Sequence, residues 1–274
     1  MAAGKIRVGV SGWTYPRWRG DFYPKGLRQK DELTYAAERM SSVEINGSFY
    51  SLQRPTSYER WRDATPDGFV FAVKGSRFIT HMRRLGNVET GLANFLASGV
   101  LALGPKLGPI LWQLPKSFAF DAARLTSFFR LLPRSRAEAA RLAEGHDDKV
   151  SGDRIFLGPV SDGRIDHVLE PRHESFDSSE ALDLLRANDI GTVWGDAAGK
   201  FPVIDADTDR VRYVRLHGHT ELYASGYSSR SLDQWASRCR EWADAGRDVY
   251  VYFDNDARGH APWDAVGLIE RLTR

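Results

Sequence analysis

Short apolar segments alternate with amphipathic segments along almost the whole chain. The apolar segments have the length of β-strands and lie at residues 5–10, 42–46, 68–75, 108–114, 165–170, 190–195, 211–218 and 248–254. Apolar residues recur at helical spacing between them, at residues 29–40, 58–64, 88–103, 121–132, 134–142, 177–188, 231–245 and 263–272. This alternation predicts an α/β fold with a parallel sheet.

Eight strand–helix units over 274 residues match a (β/α)8 TIM barrel, for which about 250 residues is typical. An open, doubly wound sheet is the alternative. Against that alternative, residues 9–12 lack the third glycine of a dinucleotide-binding fingerprint, and an aromatic loop follows where a helix should begin.

Three of the predicted helices begin with a capping pattern. Asp121 precedes the helix over residues 121–132. Asp177 with Glu180, and Ser231 with Gln234, have the spacing of capping boxes. We therefore predict N-caps at Asp121, Asp177 and Ser231.

The composition indicates a cytoplasmic protein. Lys and Arg number 38 against 36 Asp and Glu, giving a net charge of +2 without a basic cluster that would indicate nucleic-acid binding. Cys239 is the sole cysteine, so an intrachain disulfide is impossible. No apolar run resembles a signal peptide or a membrane span. We expect one domain over residues 1–274 and no membrane partner.

The seventh predicted strand, VRYVRLHG at residues 211–218, places charged residues on a buried face. Tyr213, Arg215 and His217 share one parity, while Val214 and Leu216 cover the other face. Burying an uncompensated guanidinium is expensive, so an anion should contact Arg215. The strand leaves open whether that anion is a protein carboxylate or a ligand.

The carboxyl ends of barrel strands form a common mouth, where the catalytic residues of this fold are found. The predicted strand ends bring polar and aromatic residues to it, in order Ser11, Trp13, Glu44, Asn46, Lys74, Gln113, Glu170, Arg172, Asp196, Arg215, His217, Asp254 and Asn255. The strand starts offer little reactive chemistry. We therefore predict an active site at the mouth.

Acid–base chemistry is predicted for Glu44, Glu170 and His217, since imidazole titrates near neutral pH and carboxylates carry protons. Lys74 is a fourth catalytic candidate, as an anion clamp or as a Schiff-base nucleophile. The residues predicted to bind substrate are Trp13, Asn46, Gln113, Arg172, Arg215, Tyr223, Tyr227 and Asn255. The alternative for each charged residue is a buried ion-pair network, for example Glu44 with Arg215 or Lys74.

The loop after the seventh strand contains Gly218, Tyr223, Gly226 and Tyr227. TIM barrels frequently bind phosphate with the loops after strands seven and eight. These residues favour a phosphate or carboxylate site, and the alternative is an ordinary turn-rich loop.

Metal and carbohydrate chemistry are further alternatives. Oxygen and imidazole ligands are offered by Glu44, Glu170, Asp196, His173 and His217, but none stands in a ligand motif such as H-E-x-x-H. The sequence therefore requires no cofactor and leaves a divalent metal open. A glycosidase pair of Glu44 and Glu170 would need a separation of about 5–10 Å. Cys239 lies on an apolar helix stripe and is predicted to be core.

Ordered motifs across the chain resemble the YecE-like family, which is catalogued as domain of unknown function seventy-two. They are GVSGW (9–13), FYP (22–24), VEIN (43–46), FY (49–50), FAVK (71–74), ITH (79–81), QLP (113–115), EPRH (170–173), YVRLHG (213–218) and YFDN (252–255). The resemblance implies a TIM barrel and a kinship with barrels of the endonuclease IV and sugar-isomerase type. It implies no assigned reaction.

Two features depart from the family. Where the family usually has Phe-Asn-Asn this chain has Phe253-Asp254-Asn255, and an acid there would add negative charge to the mouth and weaken an anion-binding interpretation. The stretch over residues 134–163 is also longer than in the shortest members. By analogy, nuclease barrels hold several metals with many histidines, whereas this chain has 7, so a trinuclear mechanism is not expected.

The main hypothesis is a cytosolic hydrolase or phosphodiesterase acting on a small or nucleotide-like anionic substrate. Lys74, Arg172 and Arg215 would hold the anion. The alternative is a non-catalytic nucleic-acid-binding barrel, in which bases stack on Trp13, Trp18, Tyr23 and Tyr227. A carbohydrate enzyme ranks third.

Overall fold

Eight parallel strands close into one barrel in the computed structural model, which describes residues 3–274. The strands are β1 (Ile6–Ser11), β2 (Ser42–Ile45), β3 (Val70–Lys74), β4 (Leu107–Gln113), β5 (His167–Glu170), β6 (Ile190–Asp196), β7 (Val211–Leu216) and β8 (Asp248–Phe253). Each strand pairs with the next in the chain, and β8 pairs with β1. The predicted TIM barrel is confirmed. The first two residues of the predicted domain lie outside the described residues.

Helices follow the strands and cover the barrel. Within residues 3–274 the α-helices are α1 (Glu32–Ala37), α2 (Gly47–Tyr50), α3 (Pro55–Asp63), α4 (Glu89–Ala97), α5 (Ala122–Leu131), α6 (Arg136–Ala143), α7 (Ser179–Ala187), α8 (Ser229–Asp244) and α9 (Ala261–Leu272). Short 3₁₀ turns lie at Pro16–Trp18, Gln29–Asp31, Val100–Lys106, Gly152–Arg154 and Glu174–Phe176, and a π turn lies at Phe78–Met82.

Two of the three predicted N-caps were wrong. Asp121 caps α5 as predicted, accepting a hydrogen bond from the backbone N–H of Arg124. However, α7 begins one residue later than predicted and is capped by Ser178 instead of Asp177. Helix α8 begins earlier and is capped by Ser228, whose Oγ accepts from the backbone N–H of Ser231. In both helices a serine with extended backbone places its hydroxyl over the free N–H groups, and capping needs this geometry.

The long helix predicted over residues 88–103 is interrupted. Gly99 has a φ of 115°, which ends α4, and the chain continues as the 3₁₀ turn Val100–Lys106. A Cβ at Gly99 would come within 2.6 Å of Cα of Pro55, so α3 packs directly on the bare glycine. The apolar spacing continues through the break because both segments pack on the same core.

A mainly apolar cluster fills the barrel interior below a polar layer at the carboxyl ends of the strands. The apolar interior cluster consists of Val70, Ala72, Leu111, Val168, Val193, Val211, Tyr213, Tyr250 and Tyr252. Because successive residues of a strand point to opposite faces, the next inward positions toward the carboxyl ends follow from these. For β3 to β8 they are Lys74, Gln113, Glu170, Gly195, Arg215 and, just past β8, Asp254. Ser11 of β1 and Glu44 of β2 belong to the same layer, because they are hydrogen-bonded to each other and to Arg215. The fold therefore collects polar side chains into one layer at the mouth.

Candidate active site

Arg215 is the centre of this polar layer. Its side chain is 1% exposed, and three carboxylates surround it. Nη2 donates to Oε1 of Glu44 at 2.8 Å and Nε to Oε2 at 3.1 Å, while Nη1 donates to Oε2 of Glu170 at 2.9 Å and Nη2 to Oδ2 of Asp254 at 3.1 Å. The anion that the sequence required for Arg215 is thus supplied by the protein itself. Burial would lower its pKa, but Glu44 and Glu170 outweigh burial and hold the pKa well above its usual value.

Glu44 is completely enclosed and uses both oxygens on protein donors. Besides Arg215, the hydroxyl of Ser11 donates to Oε1 at 2.8 Å and the hydroxyl of Tyr213 to Oε2 at 2.6 Å. Four hydrogen bonds from three side chains fix this carboxylate in one orientation. In this geometry Glu44 holds Arg215 and has no path to a ligand. Its predicted acid–base role stays a prediction.

Glu170 joins the centre of the layer to its rim. Its Oε2 accepts from Nε2 of Gln113 at 2.8 Å, and its Oε1 accepts from Nε and Nη2 of Arg172 at 3.2 and 3.0 Å. Burial alone would raise the pKa of Glu170, but Arg172 and Arg215 outweigh burial and hold it well below its ordinary value. Glu170 is therefore a carboxylate near neutral pH, and it keeps Arg172 at the mouth.

His217 and Asp254 form a second pair in the layer. Nδ1 of His217 lies 3.0 Å from Oδ2 of Asp254, and its Nε2 lies 3.5 Å from Oε1 of Glu170. The His217 ring is fully buried, whereas the Asp254 side chain is 17% exposed and reaches the mouth. Burial opposes ionisation of Asp254, but Arg215 and His217 lower its pKa overall. Arg215 therefore stabilises the charged form of Asp254, although it is shared with Glu44 and Glu170.

Lys74 is the cation of the layer without a carboxylate partner. It is 7% exposed, and no carboxylate oxygen among residues 3–274 lies within 4.0 Å of its Nζ. The ammonium lies 4.5 Å from the centre of the Phe49 ring. Burial, with Arg215 as a second cause, lowers the pKa of Lys74 to about 8. Lys74 can thus bind an anion or release a proton close to neutral pH.

His81 also belongs to the mouth, although it is not among the residues predicted to be catalytic or to bind substrate. Its ring packs edge-on against Phe49, the same ring that Lys74 contacts, at a centroid distance of 5.1 Å. Nδ1 is 2.9 Å from Oγ1 of Thr80. Burial, with Lys74 and Arg172 as further causes, lowers the pKa of His81 to about 4, so its imidazole is neutral at neutral pH.

The signal for His81 was present in the family motif ITH at residues 79–81. The motif lies in the π turn Phe78–Met82, and single π turns frequently mark functional sites. No hydrophobic periodicity reveals such a turn, so the sequence pattern does not mark His81.

The remaining predicted binding residues have separate positions. Asn46 is partly buried, and its Oδ1 has no hydrogen-bond partner in the described part of the chain. Tyr223 has a φ of 62° and packs edge-on against His217. The Tyr227 hydroxyl lies between Oδ2 of Asp196, to which it donates, and the backbone N–H of Gly218, from which it accepts.

Two further residues predicted to bind substrate have partners away from the polar layer. Nδ2 of Asn255 donates to Oδ2 of Asp264 on α9 at 2.7 Å. Trp13 packs edge-on against Trp61 of α3 and lines a cavity outside the mouth. The structure thus brings together Glu44, Lys74, Gln113, Glu170, Arg172, Arg215 and His217, and it places Asn255 and Trp13 elsewhere. Their substrate-binding roles stay predictions.

The carboxylates of the layer face a guanidinium. Among residues 3–274, no group of three or more His, Cys, Asp or Glu side chains is arranged to hold a metal ion. Arg215 itself lies where Glu44, Glu170 and Asp254 converge. A divalent metal stays an open alternative for a ligand-bound state.

The lengths and polarities of the helices show whether any of them could span a membrane. No helix in residues 3–274 is both long and apolar enough to cross a membrane. The cytoplasmic location stays a prediction.

The fold and this polar layer define a class, the TIM-barrel proteins with a charged site at the carboxyl ends of the strands. The family model described as "Protein of unknown function DUF72" matches residues 7–274, and the chain belongs to this family. The resemblance inferred from the sequence motifs is confirmed.

Relatives of known sequence carry names without an activity. The UPF0759 protein YecE of Escherichia coli (strain K12) is 30% identical over 113 residues, which are 41% of this chain and 39% of YecE. The UPF0759 protein YunF of Bacillus subtilis (strain 168) is 22% identical over 299 aligned positions, covering 97% of this chain and 94% of YunF.

Solved structures show the same fold. A DUF72 family protein from Thermotoga maritima MSB8 (TM1631) has a TM-score of 0.76 at 24% identity, covering 98% of this chain and 100% of the other. A DUF72 family protein from Enterococcus faecalis V583 (EF0366) has a TM-score of 0.76 at 17% identity, with coverages of 98% and 96%. At these identities the likeness concerns the fold alone.

Proposed function

We propose that this chain is a hydrolase that acts on a small anionic ester, a phosphodiester in the first place, at the mouth of the barrel. One observation carries the proposal. The three carboxylates of the polar layer form their direct ion pairs with Arg215 and Arg172, while no carboxylate oxygen within residues 3–274 lies within 4.0 Å of the Lys74 ammonium. A nearly buried ammonium with no carboxylate in direct contact is costly, and an anion bound at its Nζ lowers that cost.

The anion would lie between Lys74 and Arg172. Arg172 already donates Nε and Nη2 to Glu170, which leaves Nη1 for a ligand, and its side chain is 15% exposed. The β6 position of the layer is Gly195, where an added Cβ would meet nothing within 4 Å. The layer is therefore open beside β5 and β7, next to Arg172.

The proton-transfer groups in this proposal are His81 and Lys74, which both contact the Phe49 ring. The imidazole of His81 is neutral because burial and nearby cations lower its pKa to about 4. A bound anion would offset Lys74 and Arg172, raise the pKa of His81 and make it a better acceptor of a proton from water. Lys74, with a pKa of about 8, would then donate a proton to the leaving oxygen. In this proposal Glu44, Glu170 and His217 position Arg215, Arg172 and Asp254.

The geometry gives less support to the other hypotheses. A glycosidase needs one carboxyl group free to protonate the leaving oxygen, and both Glu44 and Glu170 accept hydrogen bonds from Arg215. A nucleic-acid-binding barrel needs exposed rings, and Trp18 and Tyr23 are fully buried.

Turnover of chromogenic phosphodiester, phosphomonoester and carboxylic ester substrates tests the proposal. Lys74→Met should lower kcat/KM by roughly 10- to 150-fold, the value of a charge-assisted hydrogen bond of about 1.5–3 kcal/mol. His81→Asn should lower kcat by about 100-fold or more with little change in KM. The matched controls are Lys25→Met and His146→Asn, on side chains outside the polar layer.

The same assay also shows what would contradict the proposal. Hydrolysis of none of the three ester classes, or equal turnover by Lys74→Met and Lys25→Met, would remove the mouth as a hydrolytic site. Labelled oligonucleotides in the same assay separate a nuclease from a small-molecule enzyme.

A further inference from the structure

A cavity lies outside the mouth, beside the first βα unit. It has a volume of about 440 Å³ and is lined by Trp13, Thr14, Gln29, Lys30, Leu33, Arg60, Trp61 and Ala64. None of the residues in the polar layer lines it. We call this cavity the tryptophan slot.

The apolar part of the tryptophan slot has the shape of a corner. The rings of Trp13 and Trp61 meet edge to face, with centroids 5.3 Å apart and planes at 84°. Leu33, which is buried, supplies a third apolar surface. The two indoles are only partly buried, so ring surface remains exposed to the cavity. Flat apolar surfaces at a right angle suit a planar ring, which stacks on one indole and meets the other edge-on.

The rim of the tryptophan slot is positively charged. Lys30 and Arg60 are both exposed, and within residues 3–274 neither has a carboxylate oxygen within 4.0 Å. No acidic residue lines the cavity. Other surface cations commonly have partners, as Arg28 has Asp31 and Arg62 has Asp63. Two cations without a counter-charge at one cavity attract an anion.

We propose that the tryptophan slot binds a small planar aromatic molecule that carries an anionic group. The ring lies in the corner of Trp13 and Trp61, and the anionic group lies at the rim with Lys30 and Arg60. Gln29 offers an amide to polar atoms of the ring. Trp13 follows Ser11 by two residues, so the slot and the polar layer share the loop after β1. The site does not depend on the proposed hydrolase activity, because the two share no side chain.

Indole ¹⁵N NMR of the whole chain tests this site directly, with Trp13→Phe and Trp61→Phe assigning the two signals. The aromatic anions used as probes are adenosine 5′-monophosphate and 2-naphthoate. Adenosine supplies a ring alone, and inorganic phosphate an anion alone. At least one aromatic anion should shift the signals of Trp13 and Trp61 and leave that of Trp263, an exposed tryptophan elsewhere, unchanged.

A variant of Arg60 tests whether the anionic group of the ligand contributes to binding. Arg60→Met should weaken binding of that aromatic anion by about tenfold, the loss expected for one ionic contact, whereas Arg230→Met, on an exposed arginine of α8, should not. Because Arg60 is exposed, the variant should fold normally.

Two results would overturn the proposal. One is the absence of shifts at both indoles with both aromatic anions. The other is binding of the ring alone as tightly as the aromatic anion, with Arg60→Met unchanged. Neither result bears on ester hydrolysis at the mouth, which the Lys74→Met and His81→Asn assays measure separately.

Discussion

Arg215 donates most of its hydrogen bonds to carboxylates of the protein itself. Nε, Nη1 and Nη2 all have carboxylate acceptors, and the side chain is 1% exposed. A guanidinium in this setting acts as an internal counter-ion that allows three acids to lie close together in a buried layer. The free energy of unfolding should therefore depend strongly on each partner, because removing one leaves a buried charge uncompensated in a medium of low dielectric constant.

Glu44→Gln should therefore destabilise the fold. The free energy of unfolding should fall by about 3–5 kcal/mol, the usual cost of breaking a buried ion pair from one side. Urea denaturation followed by circular dichroism measures it. Glu38→Gln is the matched control, since Glu38 pairs with Arg39 on the surface and should change stability by less than about 1 kcal/mol. A loss for Glu44→Gln no larger than the control would show that Arg215 does not need this partner.

The surroundings of Arg215 were only partly predictable from the sequence. The parity of residues 211–218 was enough to predict that Arg215 is buried and needs an anion. It was not enough to choose Glu44, because β2 and β7 are not neighbours and the contact crosses the barrel. Pairings of that kind depend on the closure and stagger of all eight strands.

Among the strands, β1 and β6 each carry a glycine, but the space around the two glycines differs. A Cβ on Gly9 of β1 would lie 1.8 Å from the carbonyl oxygen of Ser42 on β2. A Cβ on Gly195 of β6 would meet nothing within 4 Å. Gly9 therefore permits close approach of two strands, whereas Gly195 leaves space in the polar layer.

Alanine at the two positions should separate these roles. Gly9→Ala should lower the free energy of unfolding by about 2–3 kcal/mol or more, because β1 and β2 must move apart. Gly195→Ala should change it by less than about 1 kcal/mol. Thermal and urea unfolding of both variants provide the comparison, and similar losses in the two would contradict the assigned packing.

The elements themselves were largely predictable from their patterns. Each predicted strand overlaps the observed one, with ends that differ by no more than two residues. Buried parallel strands are continuous apolar runs and are easily located. Helix starts were harder, since Asp177 and Ser231 have capping side chains but Ser178 and Ser228 have the capping backbone. The π turn that carries His81 has no periodic signature at all.

At the scale of the whole molecule, the mouth is electrically asymmetric. Two cations, Lys74 and Arg172, and one carboxylate, Glu170, come from the β3 and β5 side, whereas the carboxyl groups of Asp254 and Asp256 come from the β8 side. Burial, with Asp254 as a further cause, raises the pKa of Asp256 to about 6. An anionic substrate would therefore enter on the β3 and β5 side, next to Lys74 and Arg172. Net charge reveals none of this, because the asymmetry arises only when the strands are arranged in the barrel.

The pH dependence of anion binding follows from Lys74. Its pKa of about 8 is set by burial and Arg215, which lower it, against Glu44, Glu170 and Asp254, which raise it. The ammonium form binds the anion, so affinity is full below that pKa and falls as the pH rises through it, by up to about tenfold per pH unit. His81, with a pKa of about 4, and Asp256, with a pKa of about 6, titrate at lower pH.

Calorimetric titration with sulfate, which stays dianionic throughout this range, tests the anion site at Lys74 most directly. Sulfate should bind the wild type and Lys25→Met alike, and the affinity should fall as the pH rises through about 8. Lys74→Arg should bind without that decline because its guanidinium stays charged, and Lys74→Met should bind weakly at every pH. Sulfate affinity that is independent of pH, or equal in Lys74→Met and wild type, would show that Lys74 does not bind an anion at the mouth.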